Sequence, residues 1–122
     1  MNFEPTIPIF RSFDEAKAKA FYVDFLGFTV DWEHRFGPDA PLYMQVSRDR
    51  CVLHLSEHHG DCCPGGAVRI RSEQLEDFQQ QLLAAKASFA RPAIQDQTWG
   101  MREMMLTDPF GNRLVFYVEI PK

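Results

Sequence analysis

The sequence predicts an α+β fold made of two tandem βαβββ modules, and three observations carry this prediction. Two segments have the apolar period of an amphipathic helix, and each has one strand-like segment before it and several after it. The two copies of this order begin about 60 residues apart, as expected of a duplicated unit. A polar, glycine-containing segment, "HHGDCCPGG" at 58–66, separates them. We expect a single domain over residues 1–122, with modules at approximately 5–57 and 66–119.

The first module begins with a short strand at 7–11 and a helix within "SFDEAKAKAFYVDFLGF". Pro5 and Pro8 restrict the strand to an edge or an unusual pairing, because proline cannot donate to a ladder. Ser12 or Asp14 can cap the helix, and Gly27 can end it. Apolar residues share one predicted helical face: Ala18, Phe21, Tyr22, Phe25 and Leu26.

Three strands should follow this helix, at Thr29–His34, Leu42–Ser47 and Cys51–Ser56. The segments between them, "FGPDAP" and "RDR", have the composition of turns. Side chains alternate between the two faces of a strand. Trp32, His34 and Phe36 should therefore share one face, and Asp31, Glu33 and Arg35 the other.

The second module repeats the order with a strand at Ala67–Arg71 and a helix in "EQLEDFQQQLLAAK". Leu75, Phe78 and Leu82 mark the apolar face of that helix. Further strands are predicted near Phe89–Ala90, Met101–Thr107 and Arg113–Val118. The segment "IQDQT" is interpreted as a polar loop, and "DPFGN" at 108–112 has the chemistry of a tight turn.

Composition excludes several classes of function. The formal charge of −4, from 13 basic and 17 acidic residues, does not suggest a nucleic-acid-binding surface. No run of about 18 apolar residues is present, so no membrane partner is expected. "MNFEPTIPIF" lacks the basic and apolar regions of a secretory signal. Three cysteines do not make a disulfide framework, and the sequence therefore favours a cytoplasmic protein.

The duplication, "FYVDFLGF" at the end of the first helix and "DPFGN" before the last strand together resemble the glyoxalase/bleomycin-resistance family, also called the vicinal oxygen chelate fold. The resemblance covers nearly the whole chain. It is greatest to the bleomycin-resistance proteins, through the Trp99-Gly100 pair before the penultimate strand. It implies that each module curls its strands into a half-open cup lined by one face of the sheet, with the helix on the other face.

The resemblance also implies where a metal would bind. Enzymes of this family hold a divalent ion with His or Glu side chains from the first and last strands of the modules. Matching the pattern places the four equivalent positions at Ile7, His54, Ala67 and Val115. Only His54 has a donor atom, whereas a divalent ion needs at least three protein ligands. We therefore expect no metal, no cofactor and no catalytic residues.

What the resemblance implies is a metal-independent protein that sequesters a bleomycin-type antibiotic, a planar aromatic or glycopeptide molecule. It further implies a homodimer with an exchanged N-terminal strand, for which Pro5 and Pro8 are suitably placed. Two alternatives stay open. One is a metal-dependent enzyme of the same fold, such as a lyase, isomerase, dioxygenase or thiol transferase. The other is a module that binds a different small molecule.

The candidate ligand-binding residues combine aromatic surface with a few polar groups. They are Trp32, His34, Phe36, His54, Trp99 and Tyr117. Flat rings stack on planar ligands and attract cations. The aromatic strand face could equally pack inside the fold, and Trp99 could be a partly buried lid over a loop. His54 and Tyr117 are predicted to be polar contacts.

Two further groups affect the choice of ligand. Arg11, Arg69 and Arg71 should face inward, which counts against a cationic ligand unless Glu57, Glu103 or Glu119 pairs with them. The linker carries a cluster of possible soft-metal donors at His58, His59, Cys62 and Cys63. Adjacent cysteines do not match the spacing of a structural zinc site, so adventitious affinity for Cu²⁺ or Ni²⁺ is the preferred interpretation of this cluster.

Overall fold

A computed structural model describes residues 1–85 and 91–121 and divides into two compact units, Met1–Pro64 and Gly65–Lys122. Each unit has one four-stranded sheet and one helical segment in the order βαβββ. This architecture confirms the predicted α+β class and the two modules. That the two modules form one domain with limits near 5–57 and 66–119 stays a prediction.

The strands of the first unit are β1 (Ile9–Arg11), β2 (Thr29–His34), β3 (Tyr43–Arg48) and β4 (Cys51–Ser56). They form one sheet in the order β1-β4-β3-β2, in which the edge strand β1 is parallel to β4 and the other neighbours are antiparallel. The helix α1 (Glu15–Lys19) connects β1 to β2 and continues as a wider π-helical segment over Ala20–Phe25. The predicted strand ends differ from these by no more than two residues.

Local hydrogen bonds set both ends of the first helical segment. Asp14 is the cap, because its Oδ1 accepts from the Lys17 N–H at 2.9 Å. The last turn widens because the Leu26 N–H bonds to the carbonyl of Phe21, five residues back. Gly27 ends the segment with a φ of +79°, a conformation that glycine adopts without strain.

The predicted apolar face of this segment is confirmed. All five of its residues are buried, with exposures between 0% and 5%. An ion pair also joins this segment to the sheet, since Lys19 Nζ lies 2.6 Å from Glu33 on β2. The helix therefore covers the side of the sheet that Glu33 shares with the apolar core.

The predicted alternation in β2 is wrong at Asp31. Val30 lies opposite Val46, whereas Trp32 lies opposite Gln45, so Asp31 is the extra residue of a β-bulge. A bulge places two successive side chains on the same side of the sheet. Asp31 accordingly contacts Gln45 on the Trp32 face, away from Glu33.

The elements of the second unit are β5 (Ala67–Arg71), α2 (Leu75–Ala84), β6 (Ile94–Asp96), β7 (Met101–Thr107) and β8 (Arg113–Glu119). The sheet repeats the arrangement of the first unit, with the order β5-β8-β7-β6. Leu75, Phe78 and Leu82 are buried, as predicted. The rings of Phe78 and Phe116 lie 5.0 Å apart, which places α2 against β8.

One strand of the second unit was not predicted. The predicted strand near Phe89–Ala90 lies outside the described residues, and the interpretation of "IQDQT" as a loop is wrong for Ile94–Asp96. This segment is β6, and it pairs antiparallel with β7. It is a short, polar edge strand whose Asp96 carboxylate accepts from Arg102 on β7 at 2.7 Å. Such a strand has no apolar period to reveal it.

The predicted "DPFGN" turn joins β7 to β8. Asp108 and Asn112 are both buried, and they bond to each other through main chain and side chains. Gly111 has a φ of +90°, as the turn chemistry predicts. None of the described helices is long and apolar enough to cross a bilayer.

Candidate functional site

The first unit presents a polar and aromatic sheet face on the side away from its helix, and we call this the open face. On β3 and β4, the side chains of Met44, Val46, Leu53 and Leu55 are at most 1% exposed and form the core. Their neighbours along the strands point the other way and, except for the buried Ser56, are partly accessible. The open face carries Ile9, Arg11, Asp31, Trp32, Tyr43, Gln45 and His54.

Three rings pack together on the open face. Trp32 stacks on Tyr43 with 5.9 Å between ring centroids and 8° between ring planes. The imidazole of His54 meets both rings edge-on, at 5.3 Å from Trp32 and 5.2 Å from Tyr43. The indole of Trp32 is still 43% exposed. The result is a supported aromatic surface that is partly accessible to solvent.

A chain of side-chain hydrogen bonds runs beneath these rings. Gln45 Nε2 donates to Asp31 Oδ2 at 3.0 Å, which leaves Gln45 Oε1 to accept from His54 Nε2 at 3.0 Å. The other ring nitrogen, Nδ1, then accepts from the Tyr43 hydroxyl at 2.7 Å. Because an ionised carboxylate can only accept, the whole chain has one consistent direction. The neutral Nε2–H tautomer of His54 follows from this direction.

The ionisation states on the open face agree with that direction. The hydrogen bond from Gln45, and a second from Ser47, lower the pKa of Asp31, so its carboxylate stays charged. Burial lowers the pKa of His54 and favours the neutral ring at pH 7. Burial, with the negative charge of Asp61, raises the pKa of Tyr43. The hydroxyl therefore keeps its proton and donates a hydrogen bond to His54 Nδ1.

His34 and Phe36 belong to a second group of rings. Phe36 lies beyond the end of β2 and is 80% exposed. It meets His34 edge-on at 4.5 Å and His58 at 5.9 Å. The three predicted wall residues are therefore divided, with Trp32 in the stack on Tyr43 and the other two in this group.

In the second unit, Trp99 and Tyr117 are connected through an ion pair. Arg69 Nη2 lies 2.8 Å from Glu103 Oε2, and its guanidinium sits 4.6 Å from the centroid of the Tyr117 ring. Glu103 Oε2 also accepts from the indole N–H of Trp99 at 3.3 Å. Trp99 is 62% exposed, whereas the Glu103 side chain is only 11% exposed. A largely buried carboxylate thus orients an exposed indole.

The inward arginines of the second unit are paired. Arg71 binds Glu119 through both Nε and Nη2, at 3.0 and 2.8 Å, and lowers the pKa of that carboxyl. With Arg69 on Glu103, two of the three predicted inward arginines have the glutamate partners that a cationic ligand requires. In the first unit, Arg11 lies 4.6 Å from the Phe13 ring, and Glu57 accepts from the Leu42 N–H instead.

The donor set for the family's metal does not fit. In β1 the residue opposite His54 is Ile9, and Ile7 precedes the strand. In β5 the residue opposite Val115 is Arg69, two positions after Ala67. None of these side chains offers a lone pair to a divalent ion, and both ring nitrogens of His54 are engaged. Within residues 1–85 and 91–121, no three His, Cys, Asp or Glu side chains are grouped to hold a metal.

The linker cluster and a shallow depression complete the first unit. Ser56 Oγ donates to Asp61 at 2.6 Å and accepts from the His58 N–H, which fixes the chain after β4. The cysteines are free thiols.

The depression, of about 330 Å³, contains no predicted ligand residue. It is lined by Ser12, Phe13, Arg35, Asp39, Ala40, Pro41 and Glu57.

Sequence reasoning did not find Tyr43 and Gln45, although both are central to the open face. Their signal was present, because both alternate with buried Met44 and Val46 on a correctly predicted strand. Assigning them to Trp32 and His54 required the cross-strand register, which includes the bulge at Asp31.

Comparisons with known proteins identify the fold. A family model described as "Glyoxalase superfamily protein" matches residues 1–121. A bleomycin-binding protein solved in complex with bleomycin is 23% identical, with a TM-score of 0.72 over 98% of this chain and 100% of that chain. A bleomycin resistance determinant encoded on the transposon Tn5 is 22% identical, with a TM-score of 0.72 over 96% and 98%.

A member of the glyoxalase/bleomycin resistance protein/dioxygenase superfamily from Sphaerobacter thermophilus is 19% identical, with a TM-score of 0.69 over 94% of this chain and 97% of that chain. A comparison with curated protein sequences found no match. At these identities, the structural similarities establish a shared fold.

Proposed function

The chain belongs to the glyoxalase superfamily, and from this we propose that it is a metal-independent binding protein that sequesters a bleomycin-type antibiotic. The observation that carries the proposal is the Trp32–Tyr43 stack, with its half-exposed indole on the open face. Sequestration requires no bond to be made or broken. The protein would protect by holding the drug away from its target.

The aromatic surface suits a planar ring system. Aromatic pairs gain about 0.5–1.5 kcal/mol beyond the area that they bury, and an indole face also attracts a positive charge. Because Tyr43 already covers one face of the Trp32 indole, the exposed part is pre-organised. A ligand that stacks there does not have to order the indole, which lowers the entropy cost of binding.

The charges support a ligand that carries positive groups. Asp31 places an ionised carboxylate next to Trp32 on the open face. Arg69 and Arg71 are each paired with a glutamate, so their repulsion of a cation is reduced. One solved protein of the same fold holds bleomycin in its structure. These points favour a bleomycin-type drug over an anionic substrate.

We propose the following ligand contacts. Trp32 supplies the main stacking surface, with His34 and Phe36 as a second, more exposed pair. Trp99 and Tyr117 supply further aromatic and polar surface in the second unit. A ring nitrogen of His54 could contact a ligand only if its hydrogen bond to Tyr43 or to Gln45 were broken.

A metal-dependent enzyme of the same fold is the alternative. It would need three donor groups, and the positions that should supply them carry Ile, Ala, Val and one already engaged His. The binding proposal, in contrast, uses only groups that the chain has.

The free thiols of the chain suit the reducing cytoplasm, where we place the protein.

Isothermal titration calorimetry with copper-loaded bleomycin tests the proposed function. We expect saturable heat at micromolar protein, and unchanged binding after the protein is dialysed against a chelator. A wild-type protein that gives no saturable heat would contradict the proposal. Tag-free protein that retains about one Zn, Fe, Mn or Ni per chain would support the enzyme alternative.

We also propose a homodimer formed by exchange of the N-terminal arm, residues 1–8. This arm lies outside the strands and exposes large apolar side chains, with Phe3 87% and Ile7 44% accessible. It joins the sheet through the Pro8 carbonyl, which accepts from the His54 N–H at 2.9 Å. An exposed apolar arm beside an edge strand is suited to pairing with a second copy.

Sedimentation equilibrium at micromolar concentration should report the mass of two chains. Deletion of residues 1–7 should shift the population to single chains, because the exchanged arm is lost. The Leu83→Ala variant, which removes an equally exposed apolar side chain on α2, should remain dimeric. A wild-type protein that sediments as one chain would contradict the dimer.

A further inference from the structure

We infer that His54 is a positioning residue that holds the indole of Trp32 and the carboxylate of Asp31 in place, and that it acts through Tyr43 and Gln45. In this role His54 does not itself contact the ligand. The effect on drug affinity rests on the proposed function. The effect on the indole of Trp32 does not, because it is a property of the free protein.

The first step is the position of His54 in the sheet. The strand order β1-β4-β3-β2 places β4, which carries His54, between two neighbours. Its main chain is held on one side by β1 and Pro8 and on the other by β3. The His54 side chain therefore starts from one of the best-restrained backbones of the unit.

The second step is the position of Trp32 and Asp31. Both lie on β2, which is the edge strand of the sheet. They are the two residues of the bulge, where the ladder is locally interrupted. The segment that carries the proposed stacking surface thus pairs with the sheet on one side only, at an interrupted ladder, and its side-chain contacts add to what holds it.

The third step is that two series of side-chain contacts, each called an arm of His54, connect it to these two residues. One arm passes from Nδ1 to the Tyr43 hydroxyl and on to Trp32 through the ring stack. The other passes from Nε2 to Gln45 and ends at Asp31. A neutral imidazole serves both arms because it has one acceptor and one donor. A single central side chain thereby fixes both residues of the bulge.

Four variants separate positioning from direct contact. His54→Phe keeps a ring but removes both hydrogen bonds, and His54→Gln keeps one acceptor and one donor. Tyr43→Phe removes only the hydrogen bond between the Tyr43 hydroxyl and His54, and it leaves the stack of rings in place. His59→Phe is the control, because it makes the same replacement at an exposed linker position.

The free protein provides the first readout, in a Trp99→Phe background that leaves Trp32 as the one tryptophan. We expect His54→Phe and Tyr43→Phe to increase acrylamide quenching of Trp32 and to change its near-ultraviolet circular dichroism. His54→Gln keeps a donor and an acceptor but loses the ring contact with Trp32, so it should change these signals less than His54→Phe does, and His59→Phe should keep the parent signals. Unchanged Trp32 signals in both His54→Phe and Tyr43→Phe would overturn the inference, whatever the protein binds.

Affinity for copper-loaded bleomycin provides the second readout, with Trp99 restored. Tyr43→Phe should weaken binding about five- to tenfold, the value of one lost hydrogen bond, and His54→Phe should weaken it further, because it removes two. The double variant should be little weaker than His54→Phe, since that change alone already removes the hydrogen bond that Tyr43→Phe removes. His54→Gln should retain most of the affinity.

Equal losses in His54→Gln and His54→Phe would mean that the imidazole itself binds the drug or its copper ion, and would overturn the positioning role. If the wild type does not bind copper-loaded bleomycin, the proposed function fails by itself, and the quenching and dichroism of Trp32 still decide the inference. Should His54→Phe not fold, Tyr43→Phe decides it, because that variant loses only a hydroxyl group.

Discussion

Replacement of Trp32 by alanine should weaken the binding of copper-loaded bleomycin by about 30- to 150-fold, equivalent to about 2–3 kcal/mol. The indole combines the features of an interface anchor, because it is flat, 43% exposed and held on its other face by Tyr43. Alanine removes both the stacking surface and its attraction for positive groups. The loss should therefore exceed that of any single hydrogen bond on the open face.

Calorimetric titration of matched variants checks this prediction. Trp32→Phe should recover part of the affinity, since a smaller ring can still stack. Phe13→Ala should bind like the wild type, because Phe13 is 56% exposed but follows β1 and does not belong to the ring stack. If Trp32→Ala binds within threefold of the wild type, roughly 0.7 kcal/mol, the open face of the first unit is not the drug site.

The helices and most strands could be predicted because burial leaves a period in the sequence. The five apolar residues from Ala18 to Leu26 recur at the spacing of one helical face, and all five are buried. The same reasoning located β2, β4, β5 and β7 at their observed limits. Such patterns are reliable because each apolar side chain that misses the core loses the free energy of its burial.

Features set by register could not be predicted in this way. The bulge at Asp31 depends on how β2 aligns with β3, and no local pattern in "DWEHRF" reports that alignment. The same is true of Tyr43 and Gln45, whose partners lie 9 to 14 residues away in sequence. The open face was therefore predicted as a row of aromatic residues, whereas the structure forms it from a hydrogen-bonded chain across three strands.

The partners of the ion pairs in the second unit could not be predicted from the sequence either. The sequence indicated that Arg69 and Arg71 would point inward, and it could only list glutamates that might pair with them. The structure selects Glu103 and Glu119, which are 34 and 48 residues distant from their partners. Glu103 has a second role that no spacing indicates, because it also accepts from the Trp99 indole.

Replacement of Asp108 by alanine should lower the free energy of unfolding by about 3–4 kcal/mol, a large loss for a single turn residue. Asp108 is 5% exposed and accepts from the main-chain N–H groups of Phe110 and Asn112, both at 2.8 Å. Its other oxygen accepts from Asn112 Nδ2 at 2.8 Å, and Asn112 is fully buried. Alanine removes the acceptor of three N–H groups in a turn that water reaches poorly.

Urea denaturation followed by far-ultraviolet circular dichroism measures this loss. The loss of unfolding free energy in Asp108→Asn should be intermediate. The amide keeps one acceptor oxygen, but its NH2 group then faces the NH2 group of Asn112, and both are donors. Asp24→Ala is the matched control at an exposed helical aspartate, and its effect should stay within about 0.5 kcal/mol. A loss below about 1 kcal/mol for Asp108→Ala would contradict the assignment. In that case "DPFGN" would owe its form to the backbone preferences of Pro109 and Gly111, and the buried carboxylate would be dispensable.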